Sequence, residues 1–175
     1  MLARALHGLV GIGTCALVGC GGPGQAGGAD GGGNCDAYLV PATTDLTQPV
    51  VSFKTDVMKI FNNNCGLSTC HGSTSLGKGS LFLGAETAHR ADASEVRAGI
   101  VGQASVELPS MPFVTAGDPE KSYLMHKLDG DQCAFDGECV DGTCHVLMPS
   151  GGNTLLPVAF RDVVRRWIAQ GAQDN

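Results

Sequence analysis

Apolar positions recur with a helical period in four places along the chain. Phe53, Val57, Ile60 and Phe61 fall at i, i+4, i+7 and i+8 behind Ser52, a residue type favoured at helix N-caps, and the stripe ends at Asn62-Asn63-Asn64. Asp92-Ala93-Ser94-Glu95 is an acid-first capping pattern that opens a second helix, with Val96, Ile100 and Val101 inward and Gly102 as its stop. Asp118 as N-cap and Pro119 at the first helical position start a third, which runs through Tyr123, Leu124 and Leu128 to Gly130. The last follows Pro157 and ends at Gly171. Its pattern places Val158, Phe160, Val163, Val164, Trp167 and Ile168 inward and Arg161, Arg165 and Arg166 toward water. No run alternates with period two for long enough to build a sheet, so the predicted fold class is all-α, a bundle of about four short helices.

The stretch before residue 49 follows different rules. Residues 1–20 carry one early positive charge, Arg4, and then an apolar stretch from Ala5 to Val18 without an acid, too short for a spanning helix and consistent with a secretory signal. Its end, Leu17-Val18-Gly19-Cys20, resembles the lipobox of bacterial lipoproteins, which implies that Cys20 is acylated and becomes the first residue of the mature chain. Acyl chains there would hold the protein on a bacterial membrane, on its periplasmic or extracellular face. The alternative is an ordinary cleavage site with a cysteine beyond it. Eight of the thirteen residues from Gly21 to Gly33 are glycine, so residues 21–48 read as a tether and 49–175 as the folded domain.

Composition narrows the function classes. With 16% charged residues and a formal charge of -6 there is no basic stripe, which speaks against nucleic acid as a partner. The nine aromatic residues make a thin core for a domain of this size, leaving room for something other than side chains at its centre.

The cysteines supply the chemistry. Cys15 leaves with the signal and Cys20 is assigned to lipid. Cys65-Gly66-Leu67-Ser68-Thr69-Cys70-His71 resembles the attachment motif of c-type cytochromes, in the longer Cys-x4-Cys-His form. The resemblance extends over about 120 residues: Leu81 and Leu83, Gly117-Asp118-Pro119 with Ser122-Tyr123-Leu124 and Lys127-Leu128, Met148-Pro149-Ser150-Gly151-Gly152, and Trp167-Ile168 with Gly171-Ala172 stand in the order found in monohaem cytochrome c domains of secreted bacterial proteins. It implies one covalently attached haem c on Cys65 and Cys70, with His71 as proximal and Met148 as distal iron ligand. Such a domain transfers electrons between redox partner proteins of the cell envelope and performs no bond chemistry. Thioether and imidazole both suit low-spin iron, and together they raise the reduction potential. The large flat cofactor would also complete the aromatic-poor core. Met111, also followed by a proline, is the rival distal ligand, and His126 is a further one.

Four cysteines then remain, Cys35, Cys133, Cys139 and Cys144, enough for two disulfides in one of three pairings. Three of them lie in an insertion at 131–147. There Cys139 to His145 repeats the Cys-x4-Cys-His spacing, so a second haem has to be weighed against a disulfide-stapled loop. The Asp-Gly turns and scarce apolar residues of the segment favour the loop. Zinc held by Cys65, Cys70, His71 and the later group lacks finger spacing, and calcium at Asp136, Glu138 and Asp141 lacks the EF-hand order. His89 and His7 are assigned no role. The rival from another class is a haem-free, disulfide-stabilised envelope lipoprotein with a Cys65–Cys70 disulfide, acting as a binding or structural module. A haem peroxidase would need an open distal position.

Overall fold

The computed structural model describes residues 35–73, 81–84, 92–150 and 154–175. The signal segment, Cys15, Cys20, the glycine-rich run, His7 and His89 lie outside the described residues. Among those described, the regular structure is helical, with no strand and three isolated β-bridges, Val101–Val114, Ala104–Pro112 and Thr115–Asp118. No helix among them is long and apolar enough to cross a membrane.

The first periodic segment forms a π-helical turn, Phe53–Val57, that runs into α1, Met58–Asn64. The Ser52 hydroxyl accepts from the Thr55 amide at 3.3 Å, the cap that its position predicts. Phe53, Val57, Ile60 and Phe61 are all buried. Helix α2, Ala93–Ile100, is capped by the Asp92 carboxylate, which accepts from the Ser94 amide, and buries Val96 and Ile100. Gly102 lies beyond its end at φ +72°, a conformation that glycine adopts without strain.

The third segment departs from the single helix expected. Asp118 caps a 3₁₀ turn, Pro119–Lys121, and α3 begins afresh at Tyr123–Asp129. Between them Ser122 is extended, with φ -115° and ψ 107°. Competing hydrogen bonds explain the break. The Ser122 hydroxyl donates to the Asp118 carbonyl at 2.8 Å, and the amides of Tyr123 and Leu124 donate to the carbonyls of Pro112 and Phe113 rather than into a helical ladder.

Helix α4, Val158–Ala169, is where the expected face needs correcting. Val158 and Phe160 are exposed at 49% and 43%, whereas Arg161 and Arg165 are buried together with Val164, Trp167 and Ile168. The buried face therefore follows 161, 164, 165 and 168. Its cause is Asp129 at the end of α3, whose buried carboxylate accepts from Arg161 Nη1 and from Arg165 Nη2, the latter through both oxygens. Asp162 accepts from Arg165 Nη1 as well, so two carboxylates compensate the two guanidiniums and burial is no longer prohibitive for them. The Tyr38 ring covers both, 4.6 Å and 4.9 Å from the guanidinium carbons.

The core gathers the helices around Phe53, which stacks on Trp167 at 4.6 Å between centroids and meets Phe61 edge-on at 6.2 Å. The chain end closes over this point, as the Asn175 carbonyl accepts from the Lys54 amide and its side chain from the Phe53 amide. The insertion folds as a 3₁₀ helix, Gln132–Glu138, followed by a loop. Two disulfides fasten it, Cys35–Cys133 and Cys139–Cys144. The first draws residues 35–48, placed in the tether by composition, against the body of the molecule. Tyr38 donates its amide to Asp131, and the Asp45 carbonyl accepts from Arg166.

Candidate functional site

Helix α1 ends where the two-cysteine motif begins. The Cys65 amide donates to the Phe61 carbonyl, and the chain then winds on itself: Cys70 and Gly72 donate to the Leu67 carbonyl and His71 to the Cys65 carbonyl. This tight loop requires glycine after the histidine, because a Cβ at Gly72 would run into the backbone of Gly66 and Leu67. The short apolar stretch 81–84 locks the histidine. The Leu83 amide donates to the His71 carbonyl at 2.8 Å, and the Leu81 carbonyl lies 3.1 Å from His71 Nδ1. A carbonyl only accepts, so Nδ1 carries a proton, and in the neutral ring the lone pair is then on Nε2. This tautomer is the one suited to a metal ligand oriented by an outer-shell carbonyl.

Beside the loop lies an open cleft of about 1110 Å³, counting its solvent-facing part. Its enclosed part, the volume comparable with other cavities, is about 230 Å³, smaller than the roughly 300–1,000 Å³ of typical ligand clefts. Cys65, Cys70, His71 and Met148 all line it. Leu81, Leu83, Phe113, Leu124 and Leu128 make its apolar walls, with Leu67 and Val106 half in solvent. Cys65 and Cys70 are free thiols. Burial, with the neighbouring Cys70 adding to it, pushes the Cys65 thiol up to about 12, so at neutral pH it is protonated and not an activated nucleophile.

The other candidates lie elsewhere. Met111 packs with Leu108, Tyr123, Cys139 and Cys144 in a satellite cluster rather than lining the cleft. Cys139 and Cys144 are bonded to each other, so the second Cys-x4-Cys-His segment offers no pair of free sulfurs. His126 points away from the site: Nδ1 is 2.9 Å from the Asp131 carboxylate, Nε2 is 3.0 Å from the Glu120 carbonyl, and Phe135 packs edge-on against the ring. Asp136 accepts from the Cys144 amide, Glu138 from the Ser110 hydroxyl, and Asp141 lies 3.9 Å from His145. These acids close turns. Among the described residues no group of three or more His, Cys, Asp or Glu side chains is arranged to hold a metal ion.

One polar cluster in the cleft wall has no counterpart in the sequence reading. Lys127, buried on α3, donates to Glu107 at 2.8 Å and to the Cys144 carbonyl at 2.7 Å, and the Tyr123 hydroxyl donates to the same Glu107 oxygen at 2.7 Å. Burial disfavours the charge on Glu107, but the hydrogen bonds from Lys127 and Tyr123 outweigh it and hold the carboxyl below its usual range. Burial lowers Lys127 and, with Glu107 close by, raises Tyr123. The partners are far apart in the chain and neither lies in a local motif; an acid at 107 and a lysine on an otherwise apolar helix face were the available signals.

Comparison with protein-family models, with curated proteins and with solved structures found no match to this chain.

Proposed function

We propose that the chain is an electron-transfer protein resembling monohaem c-type cytochromes, with haem c attached at Cys65 and Cys70 and its iron held between His71 and Met148. One observation carries this reading. Two free thiols, an imidazole and a thioether from distant parts of the chain line one apolar cleft, while Cys35, Cys133, Cys139 and Cys144 are all oxidised. The donor set fits. Cys65 and Cys70 would hold the group through thioethers, each S–H adding across one vinyl C=C, which would need both sulfurs reduced and no external oxidant. Bound haem would supply a one-electron iron couple.

The protein's own groups do the rest. The Leu81 carbonyl orients the His71 ring, and the leucines and Phe113 give the cleft its apolar walls. His71 and Met148 would hold the iron between them, and an iron with both protein ligands in place would favour electron transfer over substrate chemistry. Half-exposed Leu67 and Val106 at the rim leave an edge within reach of redox partner proteins. A lipid at Cys20 would keep the domain at the membrane surface.

The test is the visible spectrum of protein produced with a c-type maturation system. A low-spin reduced spectrum is expected, with a weak sulfur-to-iron band in the oxidised form that disappears in Met148→Ala. Persistence of the band in that variant would transfer the distal role to Met111, and a colourless product would remove the redox function.

A further inference from the structure

We infer that Lys127 and the disulfide-closed insertion form a clamp that sets the position of Met148, making Lys127 a positioning residue for the distal ligand; this rests on reading the cleft as a haem site. Lys127 holds both ends of the segment from Cys144 to Met148. Its ammonium donates to the Cys144 carbonyl at 2.7 Å, and its own carbonyl accepts from the Met148 amide at 2.8 Å. Between these points the Gln132 side-chain amide donates to the His145 carbonyl at 3.0 Å, and Leu147 is buried. The start of the segment is pinned further by the Cys139–Cys144 disulfide and by the Cys144 amide, which donates to Asp136 at 2.6 Å. Glu107 accepts from Lys127 through its side chain and from the Val140 amide through its backbone, tying the insertion to the cleft rim.

The physical reason for a clamp lies in the two groups it joins. Methionine is unbranched with three rotatable bonds, so the loop that carries it decides how firmly its sulfur stays on one side of a cleft. A buried ammonium has to keep its acceptors: moving the Cys144 carbonyl away would leave one of its N–H donors unsatisfied, with Glu107 still pairing the charge. The lysine thereby makes loop movement costly at the residue next to the cleft. The insertion, which departs from the simplest cytochrome-like pattern, acquires a role in this way.

The experiment compares matured parent protein with Lys127→Leu, Lys127→Arg, a Cys139→Ser/Cys144→Ser double variant and, as a control on the same insertion, Asp141→Asn. Three readouts are needed: covalent haem on a denaturing gel, the sulfur-to-iron band, and a titration with imidazole as competing ligand. Haem should remain attached in every variant. In Lys127→Leu and in the double cysteine variant the band should be lost, or the apparent Kd for imidazole should fall at least about tenfold, equivalent to ~1.4 kcal/mol. Lys127→Arg should restore much of the parent behaviour, and Asp141→Asn should match the parent. Haem-loaded Lys127→Leu with the parent's band and imidazole affinity overturns the clamp while leaving the haem site standing. Should Lys127→Leu fail to accumulate, the double cysteine variant decides by the same criterion. Absence of covalent haem from the parent itself overturns both readings.

Discussion

His126 shows how geometry fixes a protonation state at a single residue. Both ring nitrogens face acceptors, the Asp131 carboxylate and the Glu120 carbonyl, so the doubly protonated ring satisfies every partner. Burial is the largest single influence and acts against the charge, but the hydrogen bond and charge of Asp131 together with the Glu120 carbonyl outweigh it, and the imidazole is raised above its usual value. A histidine raised in the folded state contributes stability that is complete below its unfolded value, about 6.5, and is lost as pH climbs through the folded one. Denaturant titrations of the parent and His126→Gln should therefore differ by ~1.5–3 kcal/mol in favour of the parent at about pH 5.5, and the gap should close toward about pH 9. A difference independent of pH would contradict the assignment. At this scale the site was legible where its chemistry is local. The Cys65, Cys70 and His71 cluster stands within seven residues, and Met148 with Pro149 marks a loop. Glu107, Tyr123 and Lys127 were not legible, because their partnership exists only after α3 has been laid against the cleft rim and the insertion folded over it.

Among the elements, the helices that follow from hydrophobic period are those whose partners are apolar. The Phe53 to Phe61 stripe and the Val96 and Ile100 pair are buried as their spacing demands. Period alone failed on α4, where hydrophobicity rates Arg161 and Arg165 as outward and Phe160 as inward. A buried acid on another helix reversed the preference, and a single sequence does not show which acid meets which base. The third segment broke at Ser122 for a similar reason, since tertiary acceptors captured amides that a lone helix would have used itself. The α3–α4 contact consequently depends on Asp129. Replacing it with asparagine leaves buried Arg161 without a carboxylate and Arg165 with Asp162 alone, and should cost about 3–5 kcal/mol, read as a lower urea midpoint at unchanged slope. A loss below ~1 kcal/mol would mean that Asp162, Tyr38 and solvent, not Asp129, compensate the arginines. Replacing Asp129, Arg161 and Arg165 together by apolar residues of similar volume should recover much of the loss.

For the molecule as a whole, the disulfides and the cleft share one logic. A domain with few aromatic residues and 14 of the chain's 26 glycines has limited apolar area to bury, and here the additional hold comes from covalent closure. Cys35–Cys133 joins residues 98 apart, a loop long enough for the chain-entropy estimate to reach ~4–5 kcal/mol. It brings residues 35–48 under Arg161 and Arg166, so the packed chain extends N-terminal of the boundary that composition indicates. The cysteine count left the pairings open, since three were compatible with it. What separates the described cysteines is now specific: four close loops, and the two beside His71 stay reduced and face a cleft. The measurement that bears most directly on this division is the intact mass of the matured protein and its cysteine variants. The account predicts that the parent carries the mass of one covalently bound haem, that Cys139→Ala/Cys144→Ala retains it, and that Cys65→Ala/Cys70→Ala does not. A parent mass that does not include a haem, or a haem that survives loss of Cys65 and Cys70, would contradict it.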